Sequence, residues 1–195
     1  MRLLSKRMYL GWLVLVFALL LILHAAWIPL KAQLAQVLLE IAWSETAATG
    51  VASKPWPWAD HKAVAKLYVP SQQIEQVVLG GDSGAVLAFA PGSNLQAANI
   101  KNSARVISGH RDTHFRFLQY LQTGDELELE TSEGFARYRM IASQVVNSET
   151  SSLNPEAFQK GLILVTCYPF DAVTAGGPER YVVFAERVSP LQIKI

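Results

Sequence analysis

The chain has 195 residues, a formal net charge of +1 and a single cysteine, Cys167. That length holds one domain and a modest appendage, and the near-neutral charge, with no basic block to neutralise phosphates, excludes a nucleic-acid partner. One thiol excludes an intramolecular disulfide, so Cys167 is either inert and buried or reactive.

Arg2, Lys6 and Arg7 open the chain, and residues 9–28, YLGWLVLVFALLLILHAAWI, then contain no Asp, Glu, Lys or Arg. Twenty helical residues at about 1.5 Å each cover the roughly 30 Å of a bilayer's hydrocarbon. Tyr9, Trp12 and Trp27 lie near the two ends, where aromatic side chains favour the headgroup level. Three early cations against a lone Lys31 place residues 1–8 in the cytoplasm and everything after the span outside. A cleaved signal peptide is the competing reading, because Leu23–Ala26 is loosely like a cleavage site. The length of the apolar run favours a retained anchor.

Residues 29–59 form the expected juxtamembrane connection. Within it, residues 31–43 continue as a helix with Leu34, Val37, Leu38 and Ile41 on one face. Such a face suits either the membrane surface or packing beneath a domain. Residues 44–50 are small and polar and read as a linker. KPWPWAD, residues 54–60, reads as a stiff extended lead-in, with Trp56 and Trp58 expected to pack onto the domain that follows.

That domain, residues 60–195, shows short apolar or alternating runs separated by Gly, Pro, Asn and Asp turns. Strands are predicted at 63–69, 74–79, 85–89, 104–108, 126–130, 135–146, 162–166 and 180–188. In ELELE, at 126–130, Leu127 and Leu129 point inward and the glutamates outward. The run at 162–166 is apolar throughout, which predicts a central strand covered on both faces. Two short helices interrupt. The first, at 113–122, carries Phe115, Leu118 and Leu121 on one face and stops at Gly124. The second, near 154–159, has Asn154 as N-cap and Pro155 at the first helical position. Eight strands with little helix predict a mainly β fold closed as a barrel, which removes the sheet edges.

Several strings invite a chemical reading. GGDSGAVL, at 80–87, holds the Gly-Asp-Ser-Gly of chymotrypsin-like proteases, whose histidine lies far upstream of the serine. Here the upstream histidines are His24, inside the span, and His61, in the lead-in; turn-forming residues between two elements explain the string without chemistry. His110, Asp112 and His114 suggest a metal, but the glutamate a zincin needs is replaced by Arg111, a poor neighbour for a dication. His24 is an interfacial residue beside Trp27.

Cys167, His110 and Arg180 form a different kind of set, because each lies at or just past a predicted strand end. A thiol attacks a carbonyl well as the thiolate, which nearby cations favour. An imidazolium protonates a leaving amine, and a guanidinium offers several donors to a developing oxyanion. Together they suit cysteine acyl transfer.

These residues stand in strings that resemble the sortase family. Ile163-Leu164-Val165-Thr166-Cys167 is similar to its T-L-x-T-C signature on the seventh strand of an eight-stranded barrel, with Ile163 where the pattern has threonine. ISGHRDTHF, at 107–115, resembles the histidine motif after the fourth strand, and RYVV, at 180–183, the arginine that opens the eighth. The resemblance covers roughly residues 63–188. It implies an eight-stranded sortase-like β-barrel with two short helices behind an N-terminal transmembrane helix. It implies that Cys167, His110 and Arg180 are catalytic and that Thr166 borders the oxyanion site; no metal ligand and no cofactor are assigned. The implied partners are a substrate protein bearing a C-terminal LPxTG-like sorting signal, an amine acceptor and the cytoplasmic membrane. The tryptophan-proline segment and the helix before it are similar to the small Gram-negative, proteobacterial sortases. Two other readings stand beside this one: a non-catalytic, membrane-anchored barrel that only binds, and a protease of the same fold that hydrolyses its thioester.

Overall fold

The computed structural model describes residues 2–93, 103–174 and 176–188, with the backbone alone for 2–7. The last seven residues of the expected domain, 189–195, lie outside the described residues, as do Met1 and Ala175. The chain divides into two compact units, Met1–Val37 and Leu38–Ile195.

The first unit is helical. Helix α1 is Arg2–Thr49, with Pro29 inside it. Its residues from Met8 to Thr49 include a window of mean hydropathy 2.6, so the helix is long and apolar enough to cross a membrane.

The second unit begins within α1. The stretch expected as a linker, 44–50, is helical up to Thr49 instead. Hydroxyls there bond back to the helix: Ser44 Oγ to the Ile41 carbonyl (2.7 Å), Thr46 Oγ1 to Ala42 (2.8 Å) and Thr49 Oγ1 to Glu45 (2.8 Å). Such bonds leave small polar residues compatible with a helix. The helix stops at Gly50, whose φ of +74° suits glycine. Leu39, Ala42, Trp43 and Thr46 are buried, at helical spacing. The apolar face read from the sequence is not the one that packs beneath the domain, since Leu34, Val37 and Ile41 are all more than half exposed.

Leu39, Ala42 and Trp43 share a cluster with Ala63, Val77, Leu79, Val86 and Ala90. Thr46 Oγ1 also reaches the Ala63 carbonyl (3.2 Å) and accepts from the Ser53 amide (2.9 Å). Lys66 Nζ completes the attachment, bonding Glu40 at 3.0 Å and Glu75 at 3.2 Å. Burial pulls the Lys66 pKa down, but the two carboxylates outweigh it and hold it above its ordinary value.

The barrel strands are β1 Ala63–Val69, β2 Ile74–Gly80, β3 Gly92–Ser93, β4 Arg105–Ser108, β5 Glu126–Thr131, β6 Gly134–Asn147, β7 Leu162–Cys167 and β8 Glu179–Arg187. They close in the order β1-β2-β3-β4-β7-β8-β6-β5, and β5 pairs back onto β1. The fold is mainly β and eight-stranded, as the sequence predicts, although one strand is reassigned. Residues 85–89 are not a strand: Gly84–Leu87 is the short helix α2, with Val86 buried. A five-residue apolar run carries too little periodicity to separate the two forms. The eighth strand is the two-residue β3 instead.

Alternation works as expected in β5, where Leu127 and Leu129 are 0% and 1% exposed. The barrel interior is filled by Leu67, Val69, Ile107, Phe115, Leu118, Leu127, Leu129, Leu162, Leu164 and Val183, among others. A fully buried side chain of this kind contributes about 1.5–3 kcal/mol. The two expected helices are single 3-10 turns, Arg116–Tyr120 and Pro155–Ala157. Phe115, Leu118 and Leu121 are all buried, and their spacing of three fits the 3-10 period. Asn154 caps the second turn, its Oδ1 accepting from the Glu156 amide at 3.1 Å.

The lead-in is bent rather than extended, closing a turn from the Ala59 amide to the Trp56 carbonyl (3.0 Å). Trp56 packs on His61 and Phe89 as expected. Trp58 does not pack, and is 80% exposed.

Candidate active site

The site grows from three neighbouring strands. β7 lies between β4, which it pairs with in parallel, and β8, antiparallel to it. Register places Cys167, the last residue of β7, directly opposite Arg180, the second residue of β8. On the other side, Ser108 at the end of β4 pairs with Val165. The ladder continues one step beyond, with the Gly109 amide bonded to the Val165 carbonyl at 3.1 Å. Counting forward from that pair brings His110 level with Cys167.

Alternation then decides which side of the sheet these side chains occupy. In β7, Leu162 and Leu164 belong to the barrel interior, while Ile163 and Val165 belong to a second cluster outside it. Cys167 has the parity of the second group. In β8, Val182 and Phe184 lie in that outer cluster, and Arg180 shares their parity. In β4 the outer residue is Val106, which gives His110 the same parity. The three residues thus share one parity at one end of this sheet, next to an apolar outer cluster. Cys167 is half-buried and unpaired, Arg180 is half-buried, and His110 is exposed.

Thr166 points the other way. It is 2% exposed, and its Oγ1 donates to the Gly109 carbonyl at 2.7 Å. This bond ties the residue before Cys167 to the residue before His110. Gly109 is itself required to be glycine, because a Cβ there would come within 2.7 Å of the Phe115 ring. The Phe115 amide bonds the His110 carbonyl at 2.9 Å, so the segment after β4 folds as a tight turn over a buried ring.

The Arg180 guanidinium is folded back onto its own loop. Nη1 donates to the Gly177 carbonyl (2.6 Å) and to the Glu179 carbonyl (2.8 Å). Its other two nitrogens make no bond among the described residues. On the inward side of the sheet, Tyr168 stacks on Tyr181 at 6.4 Å and Phe170 meets Tyr181 at 5.2 Å, and both Phe170 and Tyr181 pack against the barrel core. The chain leaves Cys167 through a cis bond between Tyr168 and Pro169.

The other sequence candidates fall apart in space. His110 follows β4 outside any regular element and residues 111–115 are turns, so the two histidines share no helix face, and among the described residues no three His, Cys, Asp or Glu are grouped to hold a metal. His114 is held below its ordinary pKa by burial first and by His110 second, with Asp112 opposing. Ser83 precedes α2 and is exposed, without a hydrogen bond to any histidine among the described residues. A cavity of about 130 Å³ among Arg105, Tyr138 and Arg187 lies at the starting end of β4 and the finishing end of β8, away from Cys167.

Sequence reasoning missed one residue. Arg111 is 9% exposed, and its Nη2 donates to the carbonyls of Ala172 (3.0 Å) and Thr174 (2.8 Å), across the site in the β7–β8 loop. No spacing rule marks such a residue; only its place directly after His110 hints at it.

Comparison with known proteins agrees with this architecture. Sortase D of Bacillus subtilis (strain 168) is 39% identical over 90 residues, which are 46% of this chain and 45% of that protein. The chain therefore matches less than half the length of that relative. The barrel superposes on the Sortase D5 transpeptidase of Clostridium perfringens with a TM-score of 0.62 at 23% identity, covering 80% of this chain and 99% of that one. For sortase A from Corynebacterium diphtheriae the TM-score is 0.56 at 23% identity, covering 70% and 66%. Residues 67–188, more than half of the chain, match the family model described as Sortase domain, and on that match the chain belongs to the sortase family.

Proposed function

We propose that this protein is a membrane-anchored cysteine transpeptidase that cleaves an LPxTG-like C-terminal sorting signal and transfers the substrate protein to an amine. The observation that supports this reading is the strand register, which pairs Arg180 with Cys167 and, counted on past the Ser108–Val165 pair, brings His110 level with the thiol.

The chemistry follows from that placement. The Cys167 thiolate attacks the carbonyl carbon of the signal's threonine–glycine bond, and the carbonyl oxygen becomes an oxyanion. Arg180 turns its free N–H groups toward that oxygen. Collapse expels the glycine amine with a proton from His110 and leaves a thioester on Cys167. The acceptor amine gives a proton to His110, attacks the thioester carbon and releases the thiolate. Thr166 serves at one remove, because its bond to Gly109 sets the backbone from which His110 projects.

Residues 9–28 of α1 act as a signal anchor, with the N-terminus cytoplasmic and residues 60–195 extracytoplasmic (periplasmic in a Gram-negative cell). Tethering enzyme and substrate to one membrane raises their effective concentration without a tight binding pocket. The finer placement among the small proteobacterial sortases rests on the tryptophan-proline lead-in and the helix before it.

The test uses the full chain in detergent with a fluorogenic LPxTG-series peptide and mass analysis of the products. A peptide vinyl sulfone should label Cys167, and added glycinamide should appear in the product. A hydrolysing protease would release acid without an amine adduct. A binding module would leave Cys167 unlabelled under native conditions.

A further inference from the structure

Arg111 is a cation in an unusual place. It is 9% exposed, and among the described residues no carboxylate pairs with it. Its contacts are instead two backbone carbonyls, Ala172 and Thr174, both taken by one nitrogen, Nη2. A buried guanidinium satisfied by neutral carbonyls is costly to assemble, so the bonds it makes are strong and strictly placed.

The tip of the loop that it holds is exposed. Val173, between the two captured carbonyls, is fully exposed, and Asp171, Thr174, Gly176 and Gly177 are exposed as well. Gly176 has a φ of +100°, so the backbone there takes a shape that side-chain packing does not dictate. Ser148 holds the loop's end through the Pro178 carbonyl, by its amide (2.9 Å) and its Oγ (2.7 Å), and among the described residues the only side-chain bonds to Ala172 and Thr174 at the tip are the two from Arg111. The loop also joins Cys167 to Arg180, whose guanidinium bonds Gly177 at its far end. At the other end of the link, Arg111 directly follows His110. One side chain therefore ties the histidine turn to the segment between the thiol and the arginine.

We propose that Arg111 is a positioning residue that clamps the β7–β8 loop, residues 171–178, and so fixes His110 and Arg180 about Cys167 when a peptide is bound. The proposal rests on the transpeptidase reading. It requires Arg111 to touch no substrate, only the loop that shapes the site.

The experiment compares wild type, Arg111→Met and Arg111→Lys as full chains in detergent. Methionine keeps the apolar stem and removes both donors, while lysine keeps one donating nitrogen. In Arg111→Met, kcat for amine transfer should fall about 10- to 100-fold, since small misplacements of reacting groups cost that much. KM should change far less. Alkylation of Cys167 by iodoacetamide, which needs no loop, should stay within about twofold of wild type, whereas labelling by the peptide vinyl sulfone should fall with kcat. Lysine should recover part of the loss. Amide hydrogen exchange should rise across 171–178 in Arg111→Met and stay unchanged in the barrel strands.

Unchanged kcat, equal losses toward iodoacetamide and the peptide reagent, or no recovery by lysine would each overturn the clamp. A wild-type chain that forms no thioester would overturn the transpeptidase reading instead. The exchange measurement still judges the clamp in that case, and an unaltered loop would refute it.

Discussion

β7 has two faces that do different work with six residues. Leu162, Leu164 and Thr166 turn inward, are 0%, 0% and 2% exposed, and build the barrel core and the bond to Gly109. Ile163, Val165 and Cys167 turn outward and run along an apolar floor that ends at the thiol. The same backbone thus supports stability on one side and, on the proposed mechanism, places chemistry on the other. Residues in alternate positions of one strand should therefore fail in opposite ways.

The largest contrast lies between Leu164→Ala and Cys167→Ala. Truncating the buried leucine should cost about 2–5 kcal/mol, because it removes apolar contact and leaves a cavity. That loss reads directly as a lower denaturation midpoint. Cys167→Ala should keep the midpoint close to wild type and, on the proposed mechanism, abolish turnover. A stable domain that still turns over without the thiol would break the contrast and the mechanism together.

Arg180→Ala comes next. It lies across the ladder from Cys167 on the outward face, so the barrel should stay folded. Removing one oxyanion donor typically costs roughly 100- to 1000-fold in kcat. Near-normal turnover would remove Arg180 from the mechanism.

Thr166→Val sharpens the comparison, since Thr166 faces inward and still serves the outer face. Valine keeps the shape but leaves the buried Gly109 carbonyl without its donor, which should cost about 1–3 kcal/mol. Because that carbonyl belongs to the residue before His110, turnover should fall about tenfold as well. A stability loss with unaltered kcat would confine Thr166 to the core.

How much of this was legible in the sequence depends on how far each element repeats. ELELE alternates over five residues, and its inward leucines could be read directly. The run at 162–166 marks both faces of β7 as covered, because its first four residues are all apolar. The two-residue β3, Gly92–Ser93, has no period to detect and exists through its partners. The run at 85–89 was too short to separate one helical turn from a strand. Residues 44–49 look like a linker, yet their hydroxyls find helix carbonyls and Thr46 finds the barrel. Of the proposed site residues, Cys167, His110 and Arg180 stood out by residue type at strand ends. Arg111 did not, since its role depends on where a loop some sixty positions away folds back, and Arg111 Nη2 meets Ala172 and Thr174 across 61 and 63 residues of chain.

The smallest expected effect is one of pH, and it separates stability from chemistry. His61 is 7% exposed, lies 5.4 Å from the rings of both Trp56 and Phe89, and has a buried Nε2 without a partner. Burial holds its pKa below the ordinary 6.5, with Asp60 pulling the other way, and His114 is lowered for the same first reason. The unfolded chain therefore binds more protons than the folded one just below pH 6.5, so stability is full above that pH and is lost as pH falls through it. The denaturation midpoint should drop by a few degrees between neutral pH and pH 5.5. His61→Phe, which fills the same aromatic niche without a titrating nitrogen, should flatten that drop. Cys167→Ala should leave the curve unchanged, because the titrating groups belong to the packing under the lead-in and the turn after β4 and not to the thiol. A midpoint that rises on acidification, or a curve that His61→Phe leaves as steep as before, would show that the imidazole is solvated and that the aromatic niche does not hold it neutral.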